Sequence, residues 1–291
     1  MKVLVAGGTG FIGDKVVARL LKARIQVRVM ARSQPVSEGA EFSLGDVRNF
    51  QEVKKAIQPG IDGIINLVGI IREKPKLGIT FENLHLVASE NLLRVAIEKK
   101  VKRFIYVSAL KANLSKTSYW RTKFEAEKLI LNSGTAYTIF RPAIMFGDGD
   151  AFTNRLISLL KISPIFPIFG QGDFKIAPLA AENLAEAVVK SLTCKLAVNQ
   201  LFEATGPVTY SWREYLKLLT KVVRRKTIFI SIPISLVKIL AKVFKGSAFP
   251  ITEDELAMLT EGQTCDNWQK FFQTFQISPI YFEDYLAKIK A

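Results

Sequence analysis

Histidine and cysteine are scarce in this chain of 291 residues: there is one histidine, His85, and there are two cysteines, Cys194 and Cys265. One histidine cannot build a multi-histidine metal site, and two distant cysteines have no metal-like spacing, so no metal is expected. The same scarcity argues against a disulfide framework and fits a reducing cytoplasm. His85 itself reads as a polar residue on a helix. Long apolar runs are missing too. The uncharged stretch 227–237 is interrupted by Pro233 and falls short of the roughly 20 apolar residues that span a bilayer. Met1 leads directly into a strand-like 2–6, without the charged and apolar regions of a signal peptide, and none is expected. No low-complexity block and no internal repeat occurs, which excludes disordered and solenoid classes.

What is present is apolar and basic. Hydrophobic residues make up 49% of the chain, enough for a full-sized core, and the length suits one large α/β domain or two small ones. The net charge is +15 and it is uneven. Residues 211–250 hold nine Lys/Arg against Glu214 alone, over half of the excess. Such a bias points to an anionic partner, the alternative being a solvated lysine-rich face. Nucleic acid is not expected, because the basic residues alternate with aliphatic ones. Helix-turn-helix spacing, RNA-binding aromatic signatures and metal knuckles are also lacking.

Short β-rich runs alternate with helical patterns through the first half. Strands are predicted at 2–6, 25–31, 41–44, 63–67, 104–107 and 137–141, with helices at 11–22, 49–57, 80–100 and 117–132. Alternation of this kind implies βαβ units and a parallel sheet. Beyond 141 the pattern loosens. A helix is predicted at 152–160, then an apolar loop at 163–170 broken by Pro164 and Pro167, a helix at 181–192 and a strand at 200–204 that could rejoin the sheet. From 211 onward helices predominate. The expected architecture is a Rossmann-type, doubly wound α/β sheet over residues 1–205, with 142–172 inserted toward the substrate side. A smaller, mostly helical lobe over 206–291 completes it.

The strongest local signal is Gly7-Gly8-Thr9-Gly10-Phe11-Ile12-Gly13, directly after the first strand and opening the first helix. Gly7 permits the tight turn, Gly10 lets the backbone approach a pyrophosphate, and Gly13 lets helix and strand pack closely. Free N–H groups at the helix start, with the positive end of its dipole, suit phosphates. Thr9, Phe11 and Ile12 complete this cofactor-binding turn. At the tip of the second strand the sequence is Val29-Met30-Ala31-Arg32-Ser33, where a binder of NAD usually carries an acid. Arg32, beside Ser33, instead offers a cation suited to a 2′-phosphate, so NADP(H) is favoured over NAD(H).

The glycine turn, Gly45-Asp46, Asn66-Leu67-Val68-Gly69, Ser108, Tyr119-Trp120-Arg121-Thr122-Lys123 and Arg141-Pro142-Ala143 occur in this order. With them the chain resembles the short-chain dehydrogenase/reductase superfamily, in its extended or atypical branch, over about the first two-thirds of its length. Residues 69–73, 103–110, 119–127 and 141–147 further resemble the dehydrogenase-like accessory subunit of respiratory complex I and its bacterial relatives. That resemblance implies NADPH binding at a membrane-associated complex, often without a demonstrated reaction. It also implies that Asp46 contacts the adenine and that Val47, Val68 and Gly69 line the cofactor's path. Pro142 and Ala143 are then expected near the nicotinamide carboxamide. The apolar Val47 and Phe50 depart from the more polar turn usual in the superfamily.

Tyr119 and Lys123 are four apart on a predicted helix and so face the same way. A lysine cation lowers the pKa of a neighbouring phenol and lets it act as acid or base near neutral pH. Ser108, at the end of the fifth strand, could hydrogen-bond a substrate carbonyl. Ser108, Tyr119 and Lys123 are the candidate catalytic residues. Near the C-terminus, 233–245 predicts a helix with Lys238, Lys242 and Lys245 on one stripe beside a broad apolar arc. Such a helix suits an anionic membrane surface or a partner protein, the alternative being burial within the small lobe. The first functional expectation is an NADP(H)-dependent oxidoreductase acting on an apolar carbonyl or quinone-like substrate. The alternative is a non-catalytic accessory subunit or assembly factor of a membrane respiratory complex. A nucleotide-sugar epimerase or dehydratase comes third. The expected location is the cytoplasm, or the inner face of the membrane if the basic segment docks there.

Overall fold

A computed structural model describes residues 1–33, 37–243 and 251–289. The chain divides into two compact units. The first comprises Met1–Pro142, Ala181–Ala204 and Gln269–Ser278, and the second Ala143–Ala180, Thr205–Trp268 and Pro279–Ala291. Residues 173–180, expected with the first domain, fall in the second unit. Residues 269–278, expected in the small lobe, fall in the first, because the buried Phe271 and Phe275 pack on Phe140, and Phe275 also on Phe202.

The first unit is built on seven parallel strands: β1 (Lys2–Ala6), β2 (Gln26–Ala31), β3 (Glu41–Leu44), β4 (Gly63–Asn66), β5 (Arg103–Val107), β6 (Tyr137–Pro142) and β11 (Gln200–Ala204). Their order is β11-β6-β5-β4-β1-β2-β3. Val5 lies beside Val29 on one side and Ile65 on the other. Both faces of the central strands are covered, so β1, β4 and β5 read as unbroken buried runs rather than alternating ones. The helices α1 (Phe11–Lys22), α2 (Phe50–Ala56), α3 (Ala88–Glu98), α4 (Ser118–Leu131), α6 (Ala181–Ser191) and α10 (Trp268–Phe275) belong with this sheet. Asn49 caps α2 and Thr117 caps α4 with side-chain oxygens, which explains where those helices start.

The expected helix over 80–100 is not uniform. Residues Glu82–Val87 form a wider, π-helical turn that passes into α3. Such turns are often found at functional sites.

The second unit holds α5 (Ala151–Ile162), α7 (Trp212–Val223), α8 (Ile234–Val243), α9 (Glu253–Thr260) and α11 (Phe282–Lys288). Two short pairings, β7 (Met145–Phe146) with β10 (Leu179–Ala180) and β9 (Lys175–Ile176) with β12 (Tyr210–Ser211), support them. The expected loop at 163–170 is a strand, β8 (Ile165–Phe169), paired in parallel with β13 (Ile228–Ile232). Pro167 is tolerated because β8 is hydrogen-bonded along one side only. Among the described residues no helix is long and apolar enough to cross a membrane.

Candidate functional site

The strand order reverses between β1 and β4, and at that switch point open α/β sheets leave a crevice beyond the carboxyl ends of their strands. The glycine turn follows β1. Gly7 has φ +81°, and a Cβ there would lie 2.9 Å from the backbone carbon of Leu67. At Gly13 a Cβ would lie 2.1 Å from the Gly7 carbonyl oxygen, so only glycine lets α1 start so close to β1. Gly10 differs: its Cβ would meet only the Gly7 carbonyl oxygen, at 3.4 Å, and otherwise open space. No side chain caps α1, and its first backbone bond runs from the Asp14 N–H to the Gly10 carbonyl. The N–H groups of the first turn are therefore available to an anion. This cradle fits a dinucleotide pyrophosphate.

Arg32 and Ser33 lie exposed beyond β2. Asp46 follows β3, and both its carboxylate oxygens receive hydrogen bonds from the Arg48 guanidinium at 2.5–3.0 Å. Arg48 holds that carboxyl below its ordinary range, and the nearby charge of Arg32 adds to the effect. Arg48 also donates to the carbonyls of Leu77 and Gly78. Val47 is buried in the core, and Phe50 lies under the Arg94 guanidinium, which accounts for two apolar residues in this turn.

The loop after β4 is fixed by Asn66. Its carbonyl accepts from the Val68 N–H at 3.0 Å, and its amide donates to Ser89 Oγ at 2.9 Å. One step further, the Ile70 N–H donates to His85 Nε2 at 3.2 Å, and His85 Nδ1 lies 2.9 Å from Thr122 Oγ1 on α4. Because Nε2 accepts, the proton of the neutral ring sits on Nδ1 and is given to Thr122. Complete burial, helped by the charge of Lys123, pushes the imidazole pKa well below its usual value. The ring stacks on Phe81 and meets the edge of Tyr119, with centroids 5.3 and 5.2 Å away. His85 is thus more than a polar residue on a helix: it ties the 69–70 loop and the π-helical turn to α4.

Lys123 is 3% exposed, and its ammonium donates to the carbonyls of Val68 at 3.2 Å and Val107 at 3.0 Å. Loss of solvent lowers its pKa from 10.5 to about 7. A Cβ on Gly69 would lie 3.2 Å from that ammonium. Ser108 directly follows β5, and its hydroxyl oxygen is buried without a hydrogen-bond partner among the described residues. Tyr119, half-buried, stands one helical turn before Lys123. One turn after it, Glu127 is fully buried and receives two bonds from the Arg141 guanidinium, at 2.9 and 2.6 Å. Arg141 also donates to Asn113 at 3.0 Å.

The first unit thus brings together the turn 7–13, Val68, Gly69, Ser108, Tyr119 and Lys123, with Arg32, Ser33, Asp46 and Val47 at the ends of β2 and β3. Pro142 ends β6 and accepts from the Leu110 N–H, whereas Ala143 opens the second unit. Lys238 is exposed on α8 in the second unit. The Lys242 side chain and all of Lys245 lie outside the described residues. Sequence reasoning passed over His85, Thr122, Glu127 and Arg48 as site residues. Glu127 had a readable signal, its four-residue spacing from Lys123.

A family model described as NAD(P)H-binding matches residues 7–194. The chain is 28% identical over 290 residues to the mitochondrial NADH dehydrogenase [ubiquinone] 1 alpha subcomplex subunit 9 of Arabidopsis thaliana, covering 92% of this chain and 72% of that protein. It is 27% identical over 244 residues to ceramide reductase of Caulobacter vibrioides, covering 79% of this chain and 73% of the other. Its fold matches that of an NADPH-dependent quinone oxidoreductase from Escherichia coli solved with NADPH, with a TM-score of 0.79, 16% identity and 98% of each chain covered. With the family model covering the glycine turn and strands β2 to β6, the chain belongs to the NAD(P)H-binding family and carries the Rossmann-type fold of the short-chain dehydrogenases/reductases.

Proposed function

We propose that this protein binds NADP(H) in preference to NAD(H) and reduces an apolar carbonyl or quinone-like substrate. The observation that carries the reading is Lys123, a buried ammonium held on the carbonyls of Val68 and Val107 at the switch point, one helical turn from Tyr119. The turn 7–13 would hold the pyrophosphate, Arg32 the 2′-phosphate, and Asp46 the adenine. The dinucleotide, when bound, supplies the hydride. The chain's own part is proton management. The Tyr119 phenol gives its proton to the substrate oxygen, the Lys123 charge stabilises the phenolate left behind, and the unpartnered Ser108 hydroxyl donates to the same oxygen. His85, edge-on to Tyr119, limits the ring's freedom. A phenolate beside an ammonium in a dry site is favoured far more than in water.

The likeness to a ceramide reductase and to a quinone oxidoreductase supports an apolar substrate. The likeness to a respiratory-complex subunit supports a second reading, in which the same site holds the dinucleotide as a fixed ligand and the protein serves as an accessory subunit.

Calorimetric titration tests the cofactor. NADPH should bind more tightly than NADH, and Arg32→Ala should cost NADPH about 1–3 kcal/mol while leaving NADH unchanged. Equal affinities in the wild type reject the NADP(H) preference. NADPH oxidation across a panel of apolar aldehydes, ketones and quinones tests the chemistry. Tyr119→Phe should abolish turnover with little change in NADPH affinity. If no substrate is turned over by a wild type that binds NADPH, the accessory reading replaces the enzymatic one.

A further inference from the structure

The sheet formed by β8 and β13 is apolar on both faces except at Ser231, and one of those faces is largely open. The register places Ile165 beside Ile228, Pro167 beside Ile230 and Phe169 beside Ile232. Alternate residues turn inward, since side chains on a strand alternate between faces. Phe166 and Ile168 are buried and Phe229 packs on the same cluster. Of the remaining set, Ile165, Ile228 and Ile230 turn outward and are 49%, 66% and 49% exposed, whereas Phe169 and Ile232 at the far end also pack against the cluster. An open sheet face ordinarily carries polar residues, and parallel sheets are ordinarily covered on both sides.

The neighbouring elements continue the pattern. Ile162, at the end of α5, is 77% exposed. On α8, Leu236 and Ile239 are 46% and 58% exposed while Val237 between them is buried. So at its described positions α8 leaves Leu236 and Ile239 outside the lobe's core.

The sequence segments that supply this face are basic. Residues 151–172 and 215–252 contain ten Lys/Arg and no Asp or Glu. Two contacts bring the basic segments to one end of the sheet: the Arg225 guanidinium donates to the Lys161 carbonyl at 2.5 Å, and the Ile228 N–H donates to the Pro164 carbonyl at 2.8 Å. Lys161, Arg225, Lys226 and Lys238 are all exposed. A second copy of this chain would set these cations against their own kind. A protein partner is ordinarily gripped by Trp, Tyr and Arg, whereas this face offers isoleucine, leucine and proline. Aliphatic side chains edged by lysine and arginine suit the layer between lipid headgroups and acyl chains, where anionic headgroups meet the cations.

We propose that the outward face of β8 and β13, with Leu236 and Ile239 of α8, docks reversibly on an anionic lipid bilayer. The inference is independent of whether the dinucleotide site turns over.

The test is co-sedimentation of the full chain with phosphatidylglycerol/phosphatidylcholine vesicles, and with phosphatidylcholine vesicles alone. The wild type should pellet with the anionic vesicles, little with the neutral ones, and less as salt is raised. Ile228→Ser with Ile230→Ser should lower vesicle partitioning by about tenfold or more, as two buried side chains are lost. Lys161→Glu, Lys226→Glu and Lys238→Glu together should lower it by about a hundredfold, each cation contributing about fivefold. All these residues are exposed, and unchanged circular dichroism and thermal melting confirm that each variant is folded. The proposal is overturned if the wild type ignores anionic vesicles at low salt, or if the isoleucine variant binds them as well as the wild type does. It is equally overturned if the isoleucine change abolishes self-association in analytical ultracentrifugation while vesicle binding persists, because the occupant is then a second copy.

Discussion

Lys123→Met probes the least comfortable group in the first unit. The ammonium is buried and has backbone carbonyls, not a carboxylate, as its hydrogen-bond partners. Its folded-state pKa of about 7 lies below the ordinary 10.5. Between those values the unfolded chain binds a proton that the folded one does not, so this group makes stability rise with pH from about 7 to about 10.5. Below about pH 7 its full cost is present. At about 1.4 kcal/mol per pH unit, the span amounts to at most about 5 kcal/mol. Methionine keeps the length and removes the proton, but it gives up two hydrogen bonds worth about 1 kcal/mol each. At pH 6 the variant should therefore be more stable than the wild type by about 2–4 kcal/mol. Near pH 10.5 it should be less stable by about 1–2 kcal/mol. For a chain of this size each kcal/mol moves Tm by about 2 °C, so thermal melting of both proteins across the pH range resolves the crossing. Groups beyond the reach of the Lys123 charge titrate alike in both proteins and cancel in the difference, whereas His85, whose pKa that charge helps to lower, does not. Parallel curves that never cross would show that Lys123 keeps its water and that the dry-site account of its chemistry is wrong.

Three further perturbations test the scaffold of the site. Gly10→Ala should fold normally, since its methyl meets only one protein atom within 4 Å, yet weaken NADPH binding by about 1–3 kcal/mol in calorimetry by filling the space before α1. Gly13→Ala should both destabilise the protein and abolish binding, because its methyl would lie 2.1 Å from the Gly7 carbonyl oxygen. Arg141→Met strands the buried Glu127 carboxylate and should cost about 3–5 kcal/mol in urea unfolding. Adding Glu127→Leu should recover most of that loss, and failure of the second change to recover it would refute the pairing as the cause.

The turn 7–13 was legible because its glycines encode backbone geometry directly. Gly7 and Gly13 are required by contacts with atoms a few residues or one strand away, so their spacing survives in one dimension. Tyr119 and Lys123 were legible for a related reason: the helical period alone places them on one face. His85 was not. Its partners Ile70 and Thr122 are 15 and 37 positions away, and the turn that carries it departs from the regular helical period. The pairing of Glu127 with Arg141 crosses from helix to strand and leaves no spacing to read. β8 and β13 escaped for another reason. A strand that is apolar or nearly so on both faces shows no clear alternation, and Pro164 before β8 and Pro167 within it speak for a loop until the partner strand is seen.

The side chains that α4 buries separate a scaffold from a site. A helix covering a parallel sheet needs only an apolar stripe, and Trp120, Ala126 and Ile130 provide one. Yet the same helix also buries Thr122, Lys123 and Glu127. Each has required a dedicated partner elsewhere: His85 for Thr122, two strand-end carbonyls for Lys123, and Arg141 for Glu127. Burying these groups costs more than burying leucines of similar volume would, even when they are paired. Stability alone gives no reason for the arrangement. Its buried polar groups gather next to the one strand-order reversal of the seven-stranded sheet, beside a helix start with uncapped N–H groups and a serine hydroxyl with no partner. Cost concentrated at the place where an open α/β sheet receives its ligand is what a working site, and not a covering helix, requires.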